Sequence, residues 1–232
     1  MGCSYGADCI VAKILLETLT WPEVKEAVEA GSVVLLPVGS IEQHGLHLPI
    51  NTDSSNISEI AKRVAENLQG ERVRVLVAPT VCYGYSAADV ADFPGTVSVR
   101  LEILAEVLVD ICKSLIRSGF RKIVLLNGHG HNGAALEIAE RRVRDETGVV
   151  LAYIPLYIPM AAKELSAIRK SELGGMSHAC ELETSLQLLI QPELVQMGKA
   201  VRELPPKLDT KLFSGDMFGG TATDSVLRTA HI

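Results

Sequence analysis

The sequence predicts an α/β fold: a single-domain layered sandwich, residues 1–232, around a mostly parallel central sheet. Three observations carry that expectation. Short apolar runs rich in Val, Leu and Ile alternate with longer stretches of helical period. The runs are apolar throughout, as strands covered on both faces are. A chain of 232 residues, 47% hydrophobic with a mean hydropathy of +0.24, is long enough for one large core.

The elements follow in order. "SVVLLPVGS" reads as a strand, and "SSNISEIAKRVAENLQ" as a helix with Ile57, Ile60, Ala61 and Val64 on one face. "RVLVAPTV" is the next strand, and "VRLEILAEVLVDICKSLIRSG" a helix closed by Gly119. "RKIVLLNG" is a strand, "NGAALEIAERRVRDETG" a helix ending at Gly148, and "VVLAYIPL" a further strand. A last helix starts near Ala179 and stops before Pro192. Repeated β-α units of this kind join parallel strands by right-handed crossovers.

Composition excludes several classes of function. A formal charge of −6 and a pI near 5.6, with no basic cluster, argue against a nucleic-acid or anionic-membrane partner. Cys3, Cys9, Cys82, Cys112 and Cys180 show no paired spacing and read as reduced thiols of a cytoplasmic protein. No secretory leader or myristoylation pattern is legible at the start, and no apolar run is long enough for a membrane span. No GxGxxG follows the first strand, and histidines stand in "GHGHNG" where a phosphate needs bare backbone, so nucleotide binding is discounted.

The polar residues concentrate where the strands end. "IEQHGLHLPINTD" and "NGHGHN" follow their strands directly, at the carboxyl edge where open α/β sheets bind ligands. Glu42 and His44, at i and i+2, project to one side of extended chain, as do His129 and His131. Asp53 suits the N-cap of the following helix and is equally able to bridge two cations. His178 and Glu181, at i and i+3, share a face if the last helix includes both, while Glu183 points elsewhere, to orient a ligand or bond the backbone. Negative side chains packed this closely repel one another unless cations compensate them, which points to one or two divalent metals.

At these residues the chain resembles the creatininase family of metal-dependent amidohydrolases. The matching stretches are "LTWPEVKEAVEAGSVVLLPVGSIEQHGLHLPINTD", "YGYSAADVADFPGT", "NGHGHN" and "HACELETSL". The resemblance implies Glu42, His44, Asp53, His129 and Glu181 as metal ligands, with Asp53 bridging, and His178 as the proton carrier. It implies two divalent ions, zinc first with manganese or iron as alternatives, which acidify a water to attack a C–N bond in a small cyclic amide. Ring opening of a cyclic keto-polyol and a non-catalytic family member are the alternatives. His131 departs from the family's usual residues and stands as a ligand, a substrate contact or a turn residue; Tyr83 and Asp89 are further candidates for the substrate. The family also implies a homo-oligomer, a hexamer, and a last helix for which "FGGTATDSVLRTAHI" offers no match.

Overall fold

The computed structural model describes residues 14–69, 73–172 and 175–202, without the side chains of residues 88 and 89. Cys3, Cys9 and the C-terminal stretch judged to lack the family's last helix lie outside the described residues.

The chain enters through α1 (Trp21–Glu29), whose start carries Pro22 and a reciprocal cap between Thr20 and Glu23. Then follow β1 (Val33–Val38), α2 (Thr52–Asn67), β2 (Val75–Val77), the single turn α3 (Ala88–Ala91), α4 (Leu101–Arg117) and β3 (Lys122–Asn127). The remainder is α5 (Gly133–Thr147), β4 (Ala152–Ile154), α6 (Ala162–Ile168) and α7 (Glu181–Ile190). Gly119 and Gly148 leave α4 and α5 with φ of 111° and 72°, in agreement with the expected stops. Among the described residues, the strands form a four-stranded parallel sheet in the order β2-β1-β3-β4.

The pleat sorts β1 between two cores. Val34, Leu36 and Val38 face a layer built from α1, α4 and α5, where Leu104, Leu108, Leu136 and Ala139 meet Ile123 and Leu125 of β3. Leu35 faces the other way, against Ala61 and Ala65 of α2 with Val75 and Val77 of β2. The result is a three-layer sandwich, and a fully buried Leu such as Leu125 contributes roughly 1.5–3 kcal/mol through its burial.

Four local expectations need correction. Val64 is 39% exposed; the buried stripe of α2 runs through Ile57, Ala61 and Ala65, because the helix turns its small residues to the sheet. The strands expected from "RVLVAPTV" and "VVLAYIPL" shrink to three residues each, since β2 and β4 are the two edges of the sheet. Asp53 is not the N-cap of α2: Asn51 holds that position and Asp53 sits in the first turn. The last helix begins at Glu181, with Cys180 as its cap, so His178 precedes it and the shared face with Glu181 does not form. Among the described residues, no helix is long and apolar enough to cross a membrane.

Candidate metal centre

The carboxyl ends of β1 and β3 meet the first turn of α2. Two glycines permit that approach. A Cβ on Gly39, just after β1, would lie 2.4 Å from Ser54 Oγ, and one on Gly128, just after β3, would lie 2.7 Å from Ile57 Cβ and 2.9 Å from Asp53 O. Asn132 fastens the edge further: its Nδ2 donates to Gly39 O at 2.9 Å, and its Oδ1 accepts Tyr85 N–H at 2.9 Å.

Three carboxylates and three imidazoles converge there. Glu42, Asp53 and His129 form one group with ligand atoms mutually within 4.8 Å; His44, Asp53 and Glu183 form a second, and Glu42, His44 and His178 a third. The two oxygens of Asp53 divide between the first two groups. Oδ1 lies 3.2 Å from His44 Nε2 and Oδ2 lies 2.9 Å from His129 Nδ1. On Glu42, Oε2 is 3.3 Å from His129 Nε2 and 3.4 Å from the hydroxyl of Ser40, which in turn pairs with Ser86 at 3.0 Å.

Main-chain carbonyls set the ring nitrogens. His44 Nδ1–H donates to Glu42 O at 3.1 Å, and His129 Nε2–H donates to Tyr85 O at 3.0 Å. A carbonyl can only accept, so the opposite nitrogen of each ring is left to face Asp53. That is how metal-binding histidines are usually held, with one nitrogen anchored on a neighbouring acceptor and the other presented to the ion. The charges make the same demand. Burial opposes charge on His44, yet Asp53, with Glu183 and Glu42 adding, lifts the pKa to about 10. Burial opposes charge on His129 as well, and Glu42 with Asp53 lifts it to about 9. Burial pushes Asp53 upward, but His44 and His129 hold it well below the usual carboxylate range. Without a cation, protons on the two imidazoles must therefore balance the buried acids. Asp53 Oδ2 is buried and makes no hydrogen bond of acceptable angle, its contact with His129 being an ion pair alone. A buried carboxylate oxygen left without a hydrogen bond beside an imidazole nitrogen fits divalent metal.

Of the expected residues, Glu42, His44, Asp53 and His129 are brought together, with His178 beside them. Glu181 is not. Its oxygens accept the backbone N–H groups of Lys170 and Ser171 at 2.7 and 2.6 Å, which fastens the chain after α6 to the start of α7. Glu183 takes its place at the centre. With Cys180 as N-cap, Glu183 is the third helical residue; its Oε2 accepts Cys180 N–H at 3.1 Å, and the side chain is turned toward Asp53 and His44. Burial raises Glu183 to about 7, with Asp53 adding to the rise and His44 opposing it. The Cys-x-x-Glu spacing was the available signal, obscured because cysteine is a rare cap.

His178 packs on His44 at 4.4 Å between ring centroids, with Nδ1 3.6 Å from Glu42 Oε1. Burial, with His44 adding, pushes its pKa well below the ordinary value, so the ring is neutral at pH 7. Ala179, beside it, is fully buried at φ 49°, a left-handed conformation that costs an alanine roughly 1–2 kcal/mol. His131 stands edge-on to His129 at 5.2 Å and is outside the three metal-competent groups; its Nδ1 accepts Ala87 N–H at 3.4 Å. Tyr83 is 55% exposed, and Asp89 lies on α3 with its side chain undescribed. Sequence reasoning passed over Tyr157, whose phenol is raised by burial and then by Glu183, Cys180 and Asp53, which places it close to the acids.

The family model described as creatininase, creatinine amidohydrolase, matches residues 17–229. This chain belongs to the creatininase family. It is 35% identical over 207 residues to the creatinine amidohydrolase of Pseudomonas putida, covering 83% of this chain and 77% of that protein. It is 38% identical over 170 residues to the mycofactocin precursor peptide peptidase of Mycolicibacterium smegmatis, and 30% identical over 197 residues to the 3-dehydro-scyllo-inosose hydrolase of Thermotoga maritima. It spans 62% and 61% of the lengths of those two proteins, with 73% and 83% of this chain aligned. All three are hydrolases by name. A crystal structure of creatinine amidohydrolase superposes with a TM-score of 0.75 at 30% identity, over 87% of this chain and 83% of that one. Related creatininase structures are described as Mn and Zn-Zn forms. The creatininase-family fold thus carries, in this chain, a buried acid and imidazole cluster suited to metal.

Proposed function

We propose that the chain acts as a single-domain, metal-dependent amidohydrolase that cleaves a C–N bond in a small, cyclic amide. The observation that supports it best is Asp53, whose two oxygens face two separate donor groups. Glu42 and His129 would complete one divalent site and His44 and Glu183 the other, with zinc the first candidate and manganese or iron next. Bound there, the ions supply Lewis acidity and lower the pKa of water. The protein's part is positioning and proton transfer. Asp53 holds both groups at a common centre, and Ser40 steadies Glu42. His178 Nδ1, aimed into the site beside Glu42, is the atom that passes a proton to the leaving nitrogen. His131, Tyr83 and Asp89 are proposed to border the substrate.

A second reading, ring opening of a cyclic keto-polyol by the same centre, is supported by the 30% identity to the Thermotoga maritima hydrolase. Elemental analysis of protein purified without chelator, then assay against lactams, formamides and cyclic diketones, tests both. About two equivalents of metal per chain and turnover of a lactam are expected. A protein that holds no metal, or that opens only the diketone, overturns the first reading. We further propose a cytoplasmic homo-oligomer, a hexamer, which light scattering checks.

A further inference from the structure

We propose that Asn132 is a positioning residue for the metal centre: its buried side-chain amide fixes both the carbonyl that anchors His129 and the strand end that leads to Glu42, and so sets the affinity of the group these two share with Asp53. The inference rests on the proposed metal centre and extends it to a residue outside the three donor groups.

Asn132 is fully buried, and its partners assign both ends of the amide. A backbone N–H can only donate and a carbonyl can only accept, so Oδ1 faces Tyr85 N–H and Nδ2 faces Gly39 O, each at 2.9 Å. The first bond bears on His129. Tyr85, held there by its N–H, accepts His129 Nε2–H on its own carbonyl at 3.0 Å, while the other ring nitrogen faces Asp53. A histidine ligand is oriented by what its second nitrogen bonds, so the place of that carbonyl decides where the ring points. The second bond bears on Glu42, three residues beyond Gly39.

The segment that Asn132 holds reaches Glu42 by another route. Ser86 pairs with the Ser40 hydroxyl at 3.0 Å, and that hydroxyl lies 3.4 Å from Glu42 Oε2. Gly84 is pressed against the same amide: a Cβ there would lie 2.5 Å from Gly39 O and 2.7 Å from Asn132 Oδ1. One side chain therefore ties the end of β1, residues 84–86 and the turn after β3 at the point where two donors leave the sheet. A side chain with a single polar atom could serve only one of its two ends.

Titration of the metal-free full chain with cobalt(II), followed by visible absorption, tests this. The wild type is expected to take up about two ions per chain in a coloured complex. In Asn132→Ala one of the two should bind roughly 10–100-fold more weakly, with altered absorption bands. Leu108→Ala, a fully buried core position that makes none of these bonds, is the destabilised control; its melting temperature should fall while affinity and bands stay those of the wild type. An Asn132→Ala that binds as the wild type does, or a Leu108→Ala that weakens binding as much, overturns the proposal. Should Asn132→Ala fail to fold, hydrogen exchange in the wild type decides. Coupling is reciprocal, so metal held by His129 tightens the clasp, and the Tyr85 amide should exchange more slowly with cobalt(II) than without. An unchanged rate overturns the proposal. A wild type that takes up no cobalt(II) sinks the metal-centre reading and this one together, whereas one that binds it as described and hydrolyses nothing sinks the amidohydrolase reading alone.

Discussion

Glu42, His44 and His129 leave the ends of β1 and β3, which pair with each other along six residues, and their flanking backbone is clasped by Asn132 and by close contact with α2. Glu183 reaches the same centre from α7, which packs on α2 and is pinned there by Gln187 to Ser55 and Asn56 and by His47 to Thr184. One half of the site is thus set by the sheet, the other by a helix laid on top of it. The half containing His44 and Glu183 is accordingly the softer one, since a shift of α7 moves one donor and leaves the rest in place.

Substitutions sharpen that contrast. Asp53→Ala should have the largest effect, emptying both groups, with metal content by mass spectrometry falling to background. Glu42→Gln and His129→Ala should each empty the sheet-built group, with losses in affinity beyond the roughly 10–100-fold that an outer hydrogen-bond partner costs. Glu183→Gln should weaken only the group shared with His44, leaving about half the metal, whereas Glu181→Gln should leave metal content unchanged. If Glu181→Gln loses metal and Glu183→Gln keeps it, the division of labour on α7 is reversed.

Glu181→Gln should register in stability, by about 1 kcal/mol or less, because solvent screens its two backbone contacts. The sign with pH is fixed. Burial acts against the Glu181 charge, but the donors of Ser171 and Lys170 hold its pKa below the ordinary 4.5. A depressed acid stabilises in full above its unfolded value and loses that contribution as pH falls through the folded one. Denaturation midpoints of wild type and variant should therefore differ at pH 7 and converge in acid below 4.5. The smallest effect is expected of Ala179→Gly, where relief of the left-handed strain offsets the lost methyl to within about 1 kcal/mol. Ala179→Val, β-branched at a positive φ and without room, should cost several times more.

These two halves were not equally legible in the sequence. The pleat alone brings Glu42 and His44 to one side, and strand ends in a parallel sheet share an edge, so the sheet-built donors follow from spacing. Asp53 reads both as a cap and as a bridge between cations; Asn51 holds the cap position, and Asp53 faces two donor groups. The start of α7 was misread because Ala179 turns the chain left-handed, which nothing about an alanine announces. The family resemblance, and not spacing, implies Glu181 as a ligand; Glu183, expected to orient a ligand or bond the backbone, does bond the backbone and also faces the centre. The helices α1 and α6 were also missed, although Thr20, Pro22 and Glu23 together spell a start for the first.

Among the described residues, the sheet ends on both sides in a strand of three residues, and a parallel bridge from Leu15 to Val77 covers part of the β2 flank. Flanks so short give an incoming strand almost no ladder to extend, a familiar guard against fibrillar stacking. Among the described residues, a contact between copies of this chain would accordingly be made by side chains, surface against surface, and not by continuing the hydrogen-bonded ribbon from one molecule into the next.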